Sequence, residues 1–310
     1  MYIAMAPMEG ITTVNFRNVY KKHFSGIDRF YTPFLSANHT HKFHGSEKKE
    51  YTPFQPDLVP QVLTNNAEDF IWALNVLKEA GYDEVNLNTG CPSGTVTAKR
   101  KGAGMLMEPD KLRIFFDRVF EEKERVALPH ISLKTRIGYS SPEEVPVIAD
   151  VFRSFPFKEI IIHPRLRSDF YNNTPSISGF TMMKESLSDK TLVMYNGDIK
   201  STADVDTLME NCPRIERIMI GRGILMDPAL PAKIKGKGGS KKPDSDVRSF
   251  LDDLYSAYDN IGYDERTILF KMKDLWNFLG NAFPEREREI RNIKKAKKKA
   301  DYDAAVNSIF

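Results

Sequence analysis

At 310 residues, with 41% hydrophobic and 28% charged side chains, the chain has the composition of a water-soluble globular protein. It is long enough for one barrel-sized domain with a small appendage, or for two ordinary domains. No run of about 18 apolar residues exists to cross a bilayer, and MYIAMAPMEG lacks the regions of a secretory signal, so no membrane partner and a cytoplasmic location are expected. A net charge of +3 announces no polyanion by itself, and two distant cysteines, Cys91 and Cys212, argue against a disulfide framework and a thiolate-rich metal site; no metal is expected.

Eight short apolar runs of strand length follow in order: YIAMA (2–6), RFYTPFL (29–35), LVPQVL (58–63), EVNLN (84–88), HISLKT (130–135), EIIIH (159–163), TLVMYN (191–196) and RIMIG (217–221). Segments of helical period lie between them. AEDFIWALNVLKEAG has Asn66 as its cap and Gly81 just past its end, and TADVDTLMEN follows a Ser201 cap. The stretch from Ser36 to Asp57 reads as a long loop. Eight strand–helix units in about 225 residues predict an α/β fold, a (β/α)8 TIM barrel, with a doubly wound open sheet as the alternative.

KGKGGSKKPDSD then has the composition of a linker, and only helical patterns follow it. This predicts a barrel domain over 1–235, a linker over 236–245 and a small all-helical C-terminal domain over 246–310. Between Arg286 and Lys299 eight Lys or Arg stand against two Glu, read as one basic helix face. It is either a solvated surface or a contact for nucleic-acid phosphates.

In a (β/α)8 barrel the chemistry belongs to the C-terminal ends of the strands. Here those ends carry Pro7-Met8-Glu9-Gly10, Gln61, Asn88-Thr89-Gly90-Cys91, Lys134-Thr135-Arg136, His163-Pro164-Arg165, Asn196-Gly197-Asp198 and Gly221-Arg222-Gly223. Glycine turns after strands seven and eight, each leading into a helix, suit a phosphate and favour a phosphorylated cofactor. Lys134, in a strongly apolar strand, needs the rim, an anion or a structural carboxylate. Beside the pyrimidine edge of a flavin, such a cation would stabilise the reduced ring. His163 reads equally as a hydrogen-bonded core histidine.

The stretches AMAPMEGITTVNFR (4–17), VPQVL (59–63), VNLNTGCPSGTV with GAGMLM (85–107), SLKTRIGY (132–139), IIHPRLR (161–167), YNGDI (195–199) and MIGRGIL (219–225) resemble the tRNA-dihydrouridine synthases, FMN-dependent reductases. The resemblance covers the whole barrel in order. It implies bound FMN, NADPH as reductant and tRNA as substrate, with Cys91 as the catalytic residue giving a proton to the base. Pro7, Met8, Glu9, Gln61, Lys134, His163, Asn196, Gly197, Asp198, Gly221 and Arg222 look like its cofactor contacts. Asn88, Arg136 and Arg165 are similar to residues near the target base, and Lys99, Arg100 and Lys101 would meet RNA. A monomer is expected. The family's His-Gly-Arg is His163-Pro164-Arg165 here, and proline removes an N–H and fixes φ. A small-molecule flavoenzyme of the dihydroorotate dehydrogenase kind and a synthase acting on ribosomal RNA remain the alternatives. The sequence leaves open NADPH against NADH and the uridine reduced.

Overall fold

The computed structural model describes residues 1–236 and 243–310, so the expected linker falls largely outside the described residues. The predicted strands form where the apolar runs stand: β1 (Tyr2–Met5), β2 (Phe30–Tyr31), β3 (Leu35–Ser36), β4 (Leu58–Val59), β5 (Gln61–Leu63), β6 (Glu84–Thr89), β7 (His130–Gly138), β8 (Glu159–Leu166), β9 (Leu192–Tyr195) and β10 (Arg217–Ile220). The second and third runs are each divided in two, the third at Pro60, which cannot donate to a ladder. All pairs are parallel, in the order β1-β10-β9-β8-β7-β6-β5-β3, with β2 on β4. A bridge from Ala4 to Arg29 brings β1 to the start of β2 and curls the sheet into a barrel.

Helices α1 (Val14–His23), α2 (Gly45–Tyr51), α3 (Ala67–Glu79), α4 (Gly94–Thr97), α5 (Pro109–Arg125), α6 (Val145–Arg153), α7 (Ile177–Ser186), α8 (Thr202–Asn211), α9 (Arg222–Met226) and α10 (Leu230–Ile234) follow the strands. The Asn66 carboxamide caps α3 through Asp69 N–H, and Ser201 forms a capping box with Asp204, so both sequence caps form. The expected loop from Ser36 to Asp57 instead contains α2. GSEKKEY has no apolar period, and Tyr51 is its one buried residue. It is held by a buried ion pair: Arg17, fully buried on α1, donates to Glu50 Oε2 at 2.8 Å and to the Glu50 carbonyl at 2.7 Å.

Alternation of side chains along the strands makes two cores. Ile160 and Ile162 of β8 face the helix layer, while Ile161 joins Ala4, Val59, Met194 and Met219 inside the barrel. At the N-terminal end Glu159, Arg217 and Tyr31 close the interior, with Arg217 Nε donating to Glu159 at 2.5 Å. That end is plugged, and the opposite rim is free for function.

The segment from Pro243 onward is helical, with α11 (Pro243–Asn260), α12 (Glu265–Leu279), α13 (Glu287–Lys295) and α14 (Lys299–Asn307). Phe250 of α11 meets Phe16 of α1 edge-on at 5.6 Å, so this segment shares an apolar core with the barrel. The basic stretch is not one helix. It breaks at Ala296, which is buried, has extended ψ and lends its carbonyl to Lys273 Nζ.

Candidate active site

Two adjoining cavities open at the C-terminal ends of the strands, one of about 320 Å³ and one of about 200 Å³. Pro7, Met8, Lys134, His163 and Tyr171 border both, so they act as lobes of one site.

The larger lobe is built on the turns after β9 and β10. Asn196 is fixed by donating from Nδ2 to the Met219 carbonyl at 2.8 Å, which ties the two turns together. The N–H groups of Gly197, Asp198, Gly221, Arg222 and Gly223 find no acceptor among the described residues. Such a nest of free donors is what a phosphate needs. Arg222 stands beside it, oriented by Asp198, whose Oδ1 accepts from it at 2.5 Å. Asp198 also accepts a two-pronged bond from Arg165, at 3.0 and 2.6 Å. Burial alone would raise the Asp198 carboxyl; hydrogen bonding to Arg165 and the charges of Arg165 and Arg222 hold it below its ordinary value. An anion cannot rest against that carboxylate, so Asp198 serves this lobe by aiming Arg222.

The smaller lobe carries Cys91. Asn88 Oδ1 accepts from the N–H groups of Gly90 and Cys91 at 3.1 and 2.9 Å, so one side chain shapes the turn. Its Nδ2 donates to Gln61 Oε1 at 2.8 Å; Gln61 Nε2 donates to Asn86, and Asn86 Nδ2 to Ser132. This ladder crosses three neighbouring strands and leaves no buried amide unpaired. Beneath the turn, Gly102 has φ +55°, and a Cβ there would meet the Cys91 carbonyl at 2.9 Å and its Cβ at 3.0 Å. The Gly-Ala-Gly downstream of the cysteine is thus explained by close packing.

At the junction stands Lys134. No acceptor or carboxylate partners its ammonium among the described residues, and it keeps some surface in the cavity while protein surrounds it. Desolvation, then the neighbouring Arg136, push its pKa down to about 8. His163 is buried, and desolvation together with Arg136, Lys134, Arg165 and Arg222 drives it well below its ordinary value. Its Nε2 lies 3.1 Å from an Arg165 nitrogen that can only donate. The imidazole is therefore neutral and carries its proton on Nδ1.

Several residues expected near a substrate are otherwise engaged. Arg136 lines the smaller lobe but donates to the carbonyls of Gly90, Leu166 and Phe170, bracing the loops after β6 and β8. Arg165 lines neither lobe and supports His163 and Asp198 from behind. Asn88 lines the smaller lobe with its amide committed to the Cys91 turn, and Glu9 and Gln61 border this lobe rather than the larger one. Pro164 lies inside β8, where its carbonyl accepts from Ser176; it coincides with the register shift between Arg136 and Gly138, a bulge that tolerates proline.

The Lys99-Arg100-Lys101 run diverges. Lys99 is exposed, Arg100 turns to Met107 and Glu108, and Lys101 points inward to the Ala37 carbonyl at 3.3 Å. On α13, by contrast, Arg288, Arg291, Lys294 and Lys295 have no ion-pair partner among the described residues, whereas Lys299 on α14 is tied to Asp303 at 2.5 Å.

Sequence reading missed three residues at this site. Asn86 completes the amide ladder; its one signal was a polar residue within an apolar strand. Tyr171, after β8, borders both lobes, with Arg136 and Arg222 at 5.4 and 4.9 Å from its ring. Phe278, from α12, borders the larger lobe, and nothing local in the sequence announces it.

Residues 4–308 match the model of the family described as dihydrouridine synthase (Dus). A curated protein named probable tRNA-dihydrouridine synthase, from Staphylococcus epidermidis, is 27% identical over 268 residues, covering 83% of this chain and 79% of its own. The tRNA-dihydrouridine(16) synthase of Pseudomonas syringae pv. tomato is 29% identical over 249 residues, covering 76% and 74%. Among solved structures, DHODH from Eimeria tenella in complex with ferulenol superposes with a TM-score of 0.52 over 85% of each chain, at 13% identity. That likeness concerns the barrel fold alone.

Proposed function

The chain belongs to the dihydrouridine synthase family, and from that premise we propose that it reduces the C5=C6 bond of uridines in tRNA to 5,6-dihydrouridine. The observation that carries this reading is a single two-lobed site, with an anion nest in one lobe, Cys91 in the other and, where they meet, a lysine that has no partner among the described residues. When bound, FMN reduced by NADPH would supply hydride chemistry for C6 of the base. The free N–H groups of the turns after β9 and β10, with Arg222, would hold its phosphate. Lys134 would offer a positive charge to the reduced ring, and His163 would donate to it from Nδ1.

The proton for C5 must come from the protein, and Cys91 is the acid on the wall of the smaller lobe. Asn88 and Gly102 fix the turn that presents it. Arg136, bracing the loops around that lobe, shapes the space for the base. A stacked uridine must be extruded to reach it, at a cost of a few kcal/mol. Phosphate contacts to the exposed cations of the helical segment, 246–310, supply the compensating binding energy, with Lys99 adding to them near the site. All these residues come from one chain, so a monomer in the cytoplasm suffices.

The test joins colour to product. Purified protein should be yellow and bleach with NADPH, and its gene should restore dihydrouridine to tRNA of a deletion strain, read by mass spectrometry. Colourless protein that cannot be reconstituted with FMN would sink the proposal.

A further inference from the structure

Helix α12 lies over the rim and meets it at two points, one of them in the lining of the larger lobe. Lys271 Nζ donates to the carbonyl of Gly10 at 3.3 Å, in the turn that begins with Pro7 and Met8. Two helical turns later, Phe278 joins the lining beside Gly221, Arg222 and Gly223. Residues seven apart share one helix face and stand about 10 Å apart along the axis, so this face spans the lobe from the β1 turn to the β10 turn. It also packs on α9, which begins at Arg222.

The placement of that face is rigid. Met272, Leu275, Trp276 and Leu279 are fully buried in the helical core, and Trp276 Nε1 donates to the Tyr302 hydroxyl at 3.1 Å. Phe278 is only half-buried, so an aromatic ring is held at the edge of a cavity. Every other residue lining that lobe comes from the barrel or its loops. A half-buried ring beside a phosphate nest covers the apolar part of a ligand whose phosphate the nest holds.

We infer that Phe278 is a cofactor-retaining residue, with α12 acting as a strap across the bound flavin mononucleotide, so that cofactor affinity depends on the helical segment as well as on the barrel. This rests on the larger lobe being the cofactor site, and the test separates the two ideas. FMN affinity is measured by quenching of flavin fluorescence on the full-length, flavin-stripped protein, for wild type, Phe278→Ala, Phe278→Leu and Phe270→Ala. Phe270 is on the same helix, 72% exposed, and serves as the control. Phe278→Ala should weaken FMN binding about tenfold, while its melting temperature without flavin stays close to that of Phe270→Ala, which should bind FMN like wild type. Should Phe278→Ala melt too early to assay, Phe278→Leu decides: about threefold weaker binding supports the strap, and wild-type binding overturns it. Unchanged FMN affinity in Phe278→Ala likewise overturns it and leaves the cofactor site intact. A wild-type protein that takes up no FMN brings down the cofactor reading itself.

Discussion

At the barrel rim Gln61, Asn88, Arg136, Arg165 and Asn196 are buried and committed to partners, whereas on α13 the cations stand in solvent with no ion pair among the described residues. Asn88 spends its acceptor on two N–H groups and a donor on Gln61; Arg291 and Lys294 hold their charge in reserve. Buried, fully bonded groups fix geometry to fractions of an ångström, as the proposed proton delivery to one carbon requires. Exposed cations act through a smooth, salt-screened field that suits a phosphate backbone without reading its sequence. One chain thus separates chemistry from attraction.

That separation can be broken from either side. Cys91→Ala should lower uridine reduction about a hundred- to ten-thousand-fold, the usual worth of a positioned acid, while flavin absorbance persists; full turnover in the variant would refute the acid role. Glu50→Ala leaves Arg17 buried without its carboxylate and should cost about 3–5 kcal/mol in urea unfolding, against less than about 0.5 kcal/mol for Arg291→Ala. Equal costs would erase the contrast drawn above.

Lys134 gives a pH signature. Its folded pKa of about 8 lies below the ordinary 10.5, so between these values the unfolded chain binds more protons and stability rises with pH. Flavin-free Lys134→Met should therefore be more stable than wild type by about 3 kcal/mol below pH 8, with the gap closing towards pH 10.5. A difference that does not vary with pH would contradict the buried-charge explanation. Smallest in stability is Arg288→Gln with Arg291→Gln, Lys294→Gln and Lys295→Gln. The fold should be unchanged, and the slope of log K against log salt for tRNA should fall by about 3. An unaltered slope would remove α13 from the RNA surface.

The strands were legible because β-branched and aromatic runs of the right length leave little choice, and the caps at Asn66 and Ser201 were legible because capping is local. Helix α2 was not, since GSEKKEY is held by Glu50 reaching a buried arginine thirty-three residues away. The break at Ala296 was equally hidden: no proline or glycine marks it, and the carbonyl freed there meets a lysine on another helix. At the site, motifs named the residues but not the direction of their bonds. Asn88 and Arg136 line the smaller lobe and Arg165 lines neither, and their donors meet the Gln61 carboxamide, the Gly90 carbonyl and the Asp198 carboxylate in turn. Phe278 needed the fold, because the lobe it borders is otherwise made by residues far earlier in the chain.

The Arg165 guanidinium behind His163 has a kinetic meaning. An imidazole that can gain a proton only by facing an arginine is removed from the set of groups that titrate near neutrality. The acid limb that a free histidine would impose on a pH–rate profile should then be missing, and turnover should stay level from pH 8 down to the onset of acid unfolding. Replacing Arg165 with Gln removes one of the four charges that, together with burial, hold the imidazole neutral, and should raise its affinity for a proton even though the arginine itself lines neither lobe.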